Sequence, residues 1–251
     1  MVLICSKCRC MLKRFLPFLI FLLPFSAVNA QMYNAKSYYR FGLENKKNNK
    51  FPEALADFNK AVSLNKKFDS AWFEIGNIYM LHGSTDTAIR NYKKTLAINP
   101  KYVQALIAVG KIYRDVMPPN LDSAIIYYTA AAKIDNTNKD IFYALAWTYN
   151  ARKEYDKAIP NAVRALEIDN TYRPAYGELG HAYRASKKFA ECIEQLKKNL
   201  AVSVVDVAYL YSAYAYMELK NKEGALQQYE ELQKINERMA ASLKKKIDAM
   251  Q

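Results

Sequence analysis

Small residues recur along this chain at a nearly fixed step, and that step limits what it can fold into. Gly42, Gly76, Gly110, Ala146, Gly180 and Ala213 occupy one slot, so four of the seven glycines share a single position. Ala54, Ala88, Ala124, Ala158, Cys192 and Ala225 occupy a second slot further on. Large residues keep the same frame. Tyr38, Trp72, Leu106, Phe142, Tyr176 and Tyr209 precede the first slot, and Asn45, Tyr79, Tyr113, Tyr149, Tyr183 and Tyr216 follow it. A period of this length describes a stack of small units, each burying its faces against its neighbours.

The spacing predicts two antiparallel helices per unit. Positions 4, 7, 8 and 11 of a unit fall on one face of its first helix. Small residues at positions 8 and 20 mark where the two helices approach closely. Large residues at positions 4, 11, 17 and 24 fill the space around that contact, which places Trp72 and the tyrosines of position 11 in the core. Units end with Leu64-Asn65, Ile98-Asn99, Ile134-Asp135 and Ile168-Asp169, where Asn or Asp is expected to cap the next helix.

One unit reads Trp72-x2-Ile75-Gly76-x2-Tyr79, then Ala88-x3-Tyr92, then Asn99-Pro100. This resembles the tetratricopeptide repeat, whose period is about 34 residues. The resemblance implies an all-α fold, a right-handed superhelix or solenoid of about six helix-turn-helix repeats. Their ranges are 35–68, 69–102, 103–138, 139–172, 173–205 and 206–239. Ala240, Leu243, Ile247 and Met250 keep helical spacing beside Lys244, Lys245 and Lys246, as a capping helix running to 251 would. The third unit is longer, with Met117-Pro118-Pro119-Asn120 expected to bulge between its helices without breaking the register. The fifth is shorter and ends in Val202-Ser203-Val204-Val205, so packing is expected to change before the sixth.

Residues 1–30 are an address rather than part of the repeat domain, 31–251. Lys13 and Arg14 precede an almost wholly apolar stretch from Phe15 to Phe25. Ser26-Ala27-Val28-Asn29-Ala30 then supplies the small-residue exit of a secretory signal, with cleavage after Ala30. Met11 is an alternative start, and an uncleaved anchor is the alternative outcome. The expected location is periplasmic or secreted. Cys5, Cys8 and Cys10 lack a second ligand pair for a metal, and only Cys192 lies beyond residue 30.

The formal charge is +13, and removing the signal, which carries four basic residues and no acid, leaves +9. The basic residues are spread in pairs such as Lys66-Lys67, Lys93-Lys94 and Lys187-Lys188, without the compact arginine-aromatic cluster of a nucleic-acid module. No nucleic-acid partner is expected.

Catalysis needs converging nucleophile, acid, base or metal ligands. The chain has two histidines, His82 and His181, neither with a partner at ligand spacing, and no phosphate loop, GxSxG or HExxH. Cys192 reads as a buried thiol in a small-residue slot. No catalytic residue, cofactor or metal is assigned, and the chain is not expected to be an enzyme.

In the tetratricopeptide family the first helices line a concave groove, and the resemblance assigns positions 2, 5, 9 and 12 to its wall. These give Tyr39 in the first unit, Phe73 and Asn77 in the second, and Ile107, Lys111 and Arg114 in the third. They give Tyr143, Trp147 and Asn150 in the fourth, His181 and Arg184 in the fifth, and Tyr214 in the sixth. Aromatic and arginine side chains on an open face suit peptide binding, with Asn77, Asn150 and Lys111 expected to hydrogen-bond a partner's backbone. The two-carboxylate clamp of cytosolic co-chaperones is not matched, because the corresponding positions hold Tyr39, Leu43, Glu74, Gln104 and Ala108. The expected function is an exported adaptor binding a protein or peptide in this groove. The alternatives are a structural subunit of an envelope assembly, attached peripherally through its convex face, and a basic surface for an anionic polymer or membrane.

Overall fold

In a computed structural model of the chain, residues 34–250 are described. The expected secretory signal, Cys5, Cys8 and Cys10, and the alternative start at Met11 all lie outside them. The described residues form thirteen α-helices and no strand, and they divide into two compact units, one ending at Lys66 and the other beginning at Lys67.

The first unit pairs α1 (Ala35–Lys47) with α2 (Phe51–Leu64). Asn34 caps α1 by accepting from the Ser37 N–H at 3.0 Å. Gly42 explains the close approach, since a Cβ there would lie 2.6 Å from the Phe58 ring.

The second unit holds α3 (Asp69–Leu81), α4 (Thr85–Ile98), α5 (Val103–Asp115), α6 (Leu121–Ile134), α7 (Lys139–Ala151) and α8 (Tyr155–Ile168). It continues with α9 (Arg173–Ala185), α10 (Phe189–Val202), α11 (Asp206–Glu218), α12 (Lys222–Ile235) and α13 (Glu237–Asp248). Each helix packs on its neighbours in sequence, and α7, α9, α11 and α13 also pack on one another in that order. Contacts that run stepwise along the chain are the signature of a solenoid.

The core is built from the small slots and the aromatic rings laid against them. Ala88, Ala124, Ala158 and Ala225 are fully buried, and Cys192 nearly so. Gly76 and Gly110 face the rings of Tyr92 and Tyr128, at position 24 of their own units. Those two rings are buried, and at roughly 25 cal/mol per Å² their apolar area contributes heavily to holding each pair together.

Three expectations are corrected. Of the tyrosines at position 11 only Tyr183 is buried; Tyr79, Tyr113, Tyr149 and Tyr216 are half-buried. A phenol packs its ring and still keeps its hydroxyl in water. Trp72 is also half-buried, with the Lys94 ammonium 4.0 Å from its ring centre. Finally, Asn99, Asp135 and Asp169 do not cap the next helix. Their side chains accept from the N–H two residues on, in Lys101, Thr137 and Thr171, and so shape the turn between units.

The turn inside each unit has its own rule. Gly83, Lys153, Lys187 and Lys220 in the second unit, and Asn49 in the first, adopt φ between 58° and 72°. The next residue then donates its N–H to the carbonyl of position 11, as Glu154 does to Tyr149 and Lys188 to Tyr183 at 2.9 Å. After the Pro118-Pro119 bulge, Asn120 makes the same bond to Tyr113 at 2.8 Å. The extra residues leave the register intact.

Candidate functional site

The side chains assigned to the inner wall differ in what they touch. Tyr39, in the first unit, leans on Phe58 with ring centres 5.7 Å apart. In the second unit Phe73 is wedged between Tyr92 and Tyr102, at 5.5 and 5.0 Å. Ile107 packs against the cluster around Leu106 and Tyr128, and Tyr143 meets the edge of Tyr172 at 5.8 Å. These residues are half-buried, so part of each side chain is already covered by the chain's own residues.

Two polar residues expected to reach a partner are already engaged. Asn77 donates to Glu74 at 3.2 Å and accepts from the Tyr92 hydroxyl at 2.9 Å. Asn150 is buried, and its amide donates to the backbone carbonyl and the carboxylate of Glu178, both at 2.9 Å. It ties α7 to α9. Helical spacing places a residue on a face but does not say how deeply the neighbouring helix covers it.

Arg114 and Trp147, from α5 and α7, come together. The guanidinium carbon lies 5.2 Å from the indole centre, within cation–π range. Asp115 holds that guanidinium at two points, 2.7 and 3.3 Å. Trp147 is half-buried and Lys111, on α5, is exposed. An aromatic face stiffened by a clamped arginine presents large area with few free rotors.

The other assembly lies between α9, α10 and α11. His181 and Arg184 are exposed on α9, with Arg184 Nε 3.5 Å from Glu218 Oε1 across the gap. Tyr214 accepts from Lys246 Nζ at 3.0 Å, and that ammonium sits 4.6 Å from its ring centre. Between them is a cavity of about 230 Å³ with Phe189, Tyr211 and Cys192 in its lining. Sequence reasoning placed His181, Arg184 and Tyr214 on this wall but missed the cavity. The available signal was Gly177, at position 5, where other units carry Tyr39, Phe73, Ile107 and Tyr143.

Cys192 is buried, and burial pushes its thiol up to about 12, so it stays protonated and unreactive near neutral pH. Among the described residues no three His, Cys, Asp or Glu side chains gather as metal ligands, and no helix is long and apolar enough to cross a membrane.

Sequence models described as tetratricopeptide repeat match residues 39–103, 140–172 and 207–236. No curated protein sequence matches the chain. Among solved structures, the C-terminal part of a TPR repeat-containing protein from Cytophaga hutchinsonii aligns with a TM-score of 0.66 and 20% identity, over 87% of this chain and 91% of that one. MamA aligns at 0.58 and 20%, over 80% and 95%. YrrB, described as a TPR protein with an unusual peptide-binding site, aligns at 0.56 and 16%, over 88% and 96%. Likeness at these identities is likeness of fold. The chain therefore carries tetratricopeptide repeats and folds as a tetratricopeptide-repeat protein.

Proposed function

We propose that this chain is an exported adaptor that holds a protein or peptide segment against the face built by the first helices of its repeats. The observation that carries the reading is the Arg114–Trp147 pair, a clamped cation on a half-buried indole, next to exposed Lys111. Such anchors supply most of the free energy at protein interfaces. YrrB, of the same fold, is described as having a peptide-binding site, which supports the class of function. The export part rests on the pattern of residues 13–30 alone.

The test compares two variants in affinity capture from the cell envelope of the source cell. Trp147→Ala is expected to weaken partner capture by tenfold or more, the range of an interface hot spot, with little change in thermal unfolding. Tyr128→Ala is the core control, expected to cost about 3–5 kcal/mol of stability. Undiminished capture by a folded Trp147→Ala would refute the reading. Mass spectrometry of the N-terminus tests export, the expected mature chain beginning at Gln31.

A second reading, a structural subunit of an envelope assembly, draws on Val202 and Val204, exposed where the fifth repeat meets the sixth, and on exposed Ile235, which lines a recess with Val204. Crosslinks at those residues, with Trp147 left free, would favour it.

A further inference from the structure

We infer that the cavity between α9, α10 and α11 is an anchor pocket for an aromatic side chain of a bound peptide, with a carboxylate close by in the same peptide. The inference rests on the peptide-binding reading and names what one part of that face takes.

The cavity exists because one side chain is missing. At position 5 of the other units in Lys67–Gln251 the chain places Phe73, Ile107, Tyr143 and Leu210. The fifth unit has Gly177, and a Cβ built there would meet only the Tyr211 hydroxyl, at an unhindered 3.6 Å. In the second unit the same position carries Phe73, whose ring packs at 5.0 and 5.5 Å against Tyr102 and Tyr92. In the fifth unit the places of Tyr92 and Tyr102 are taken by Leu196 and Val205, and the aromatic lining of the open space comes from Phe189 and from the sixth unit, whose Tyr211 and Tyr214 are set edge to face at 6.2 Å. A ring from outside would find aromatic partners there in Phe189, Tyr211 and Tyr214. About 230 Å³ is ample, since an apolar cavity of roughly 150 Å³ takes a benzene ring.

Charge selects what should flank that ring. Arg184 stands at the mouth, and an adjoining recess is lined by Arg184, Tyr214 and Lys246. The single acid at this rim, Glu218, meets Arg184 only at a long 3.5 Å, and both side chains are largely exposed. Two cations against one carboxylate leave an excess positive charge, and Arg184 can take a second carboxylate in bidentate geometry. Cys192 in the lining is protonated and adds apolar surface without reactivity.

The experiment titrates the full chain with acetyl-Ala-Phe-Asp-Ala-amide while following backbone amide shifts by NMR. Saturable shifts are expected at Gly177 and Gly180. Replacing the peptide's Phe by Ala should abolish them, and replacing its Asp by Asn should weaken binding about threefold to fivefold, the worth of an exposed ion pair. Gly177→Phe places a ring in the pocket from its own lining and should abolish binding without lowering the unfolding temperature. Arg184→Gln, at an exposed position, should bind the Asp and Asn peptides equally. A folded Gly177→Phe that still binds, or shifts confined to Arg114 and Trp147, overturns the pocket. If partner capture depends on Trp147 but not on Gly177, the pocket falls and the adaptor reading stands. If the peptide binds at Gly177 while capture ignores Trp147, the adaptor reading falls and the pocket stands.

Discussion

The ring of Tyr211 lies over Gly180, so that a Cβ added to the glycine would sit 2.8 Å from Tyr211 Cε1 and nearer still to Cδ1. In the second and third repeats the equivalent glycine faces an aromatic residue of its own unit. Here the ring comes from the next unit, because position 24 of the fifth repeat is Leu196. Gly180→Ala is therefore expected to destabilise the chain by about 1–2 kcal/mol, the overpacking penalty less the helix propensity that alanine gains. Gly177→Ala, three residues earlier with open space around it, is expected to stabilise by up to about 1 kcal/mol. Urea unfolding of the two variants tests the contrast in sign.

The left-handed residue in the turn inside each repeat is a lysine in three units. Lys153, Lys187 and Lys220 hold φ near +60°, a conformation that costs a residue with a Cβ about 1–2 kcal/mol. Replacing each by glycine is expected to raise stability by roughly 0.5–1 kcal/mol, because part of the gain is lost to glycine's freedom in the unfolded chain. Gly83→Ala should move the other way. Thermal unfolding of the single variants and of the triple lysine variant tests both the sign and the additivity.

These features also show how far the sequence could be read. Helix pairs and their small-residue contacts follow from the recurrence of Gly42, Gly76 and Gly110 against Ala54, Ala88 and Ala124, because close approach admits few residue types. The left-handed turn was hidden because lysine there looks like ordinary surface. The resemblance assigned Asn150 to an open wall, yet Glu178 of the next repeat covers it. The pocket was hidden for a similar reason. Gly177 breaks a column of large residues, and the meaning of that break depends on Tyr211 and Tyr214, contributed by a different repeat.

Alkaline pH should unfold the chain through its buried tyrosines. Burial pushes the hydroxyls of Tyr92, Tyr128, Tyr176 and Tyr183 up to about 12, from an ordinary 10.0. The unfolded chain ionises first, so stability is intact below pH 10 and falls as pH rises from 10 toward 12. Tyrosinate absorbance should therefore rise in step with loss of helical circular dichroism. Tyr128→Phe removes one of these hydroxyls and should carry the transition to higher pH. An unshifted transition would mean that the Tyr128 hydroxyl does not drive it.

Three repeats are tied from end to start by side chains thirty residues apart. Asn99 donates to Asp69 at 3.0 Å, Lys139 to Asp169 at 2.5 Å, and Asn236 to Asp206 at 2.6 Å. Asn236 also caps α13, accepting from the Met239 N–H at 3.1 Å. Burial opposes ionisation of Asp206, but hydrogen bonds from Asn236 and Arg173 outweigh it and hold the carboxyl below its usual range. Asn236→Ala is expected to cost about 1–2 kcal/mol, as a lost cap and a lost charge-assisted bond together. Asn99→Ala, with no cap to lose, should cost less. Asn236→Asp separates the two contributions. It keeps a capping oxygen but sets a second carboxylate against Asp206, so at neutral pH it should be less stable than Asn236→Ala. As pH falls toward 4 one carboxyl of the pair protonates and that repulsion disappears. Asn236→Asp, which keeps its cap, should then gain on Asn236→Ala and overtake it, and parallel pH profiles from denaturant unfolding would show that the carboxylate of Asp206 is not felt at this position.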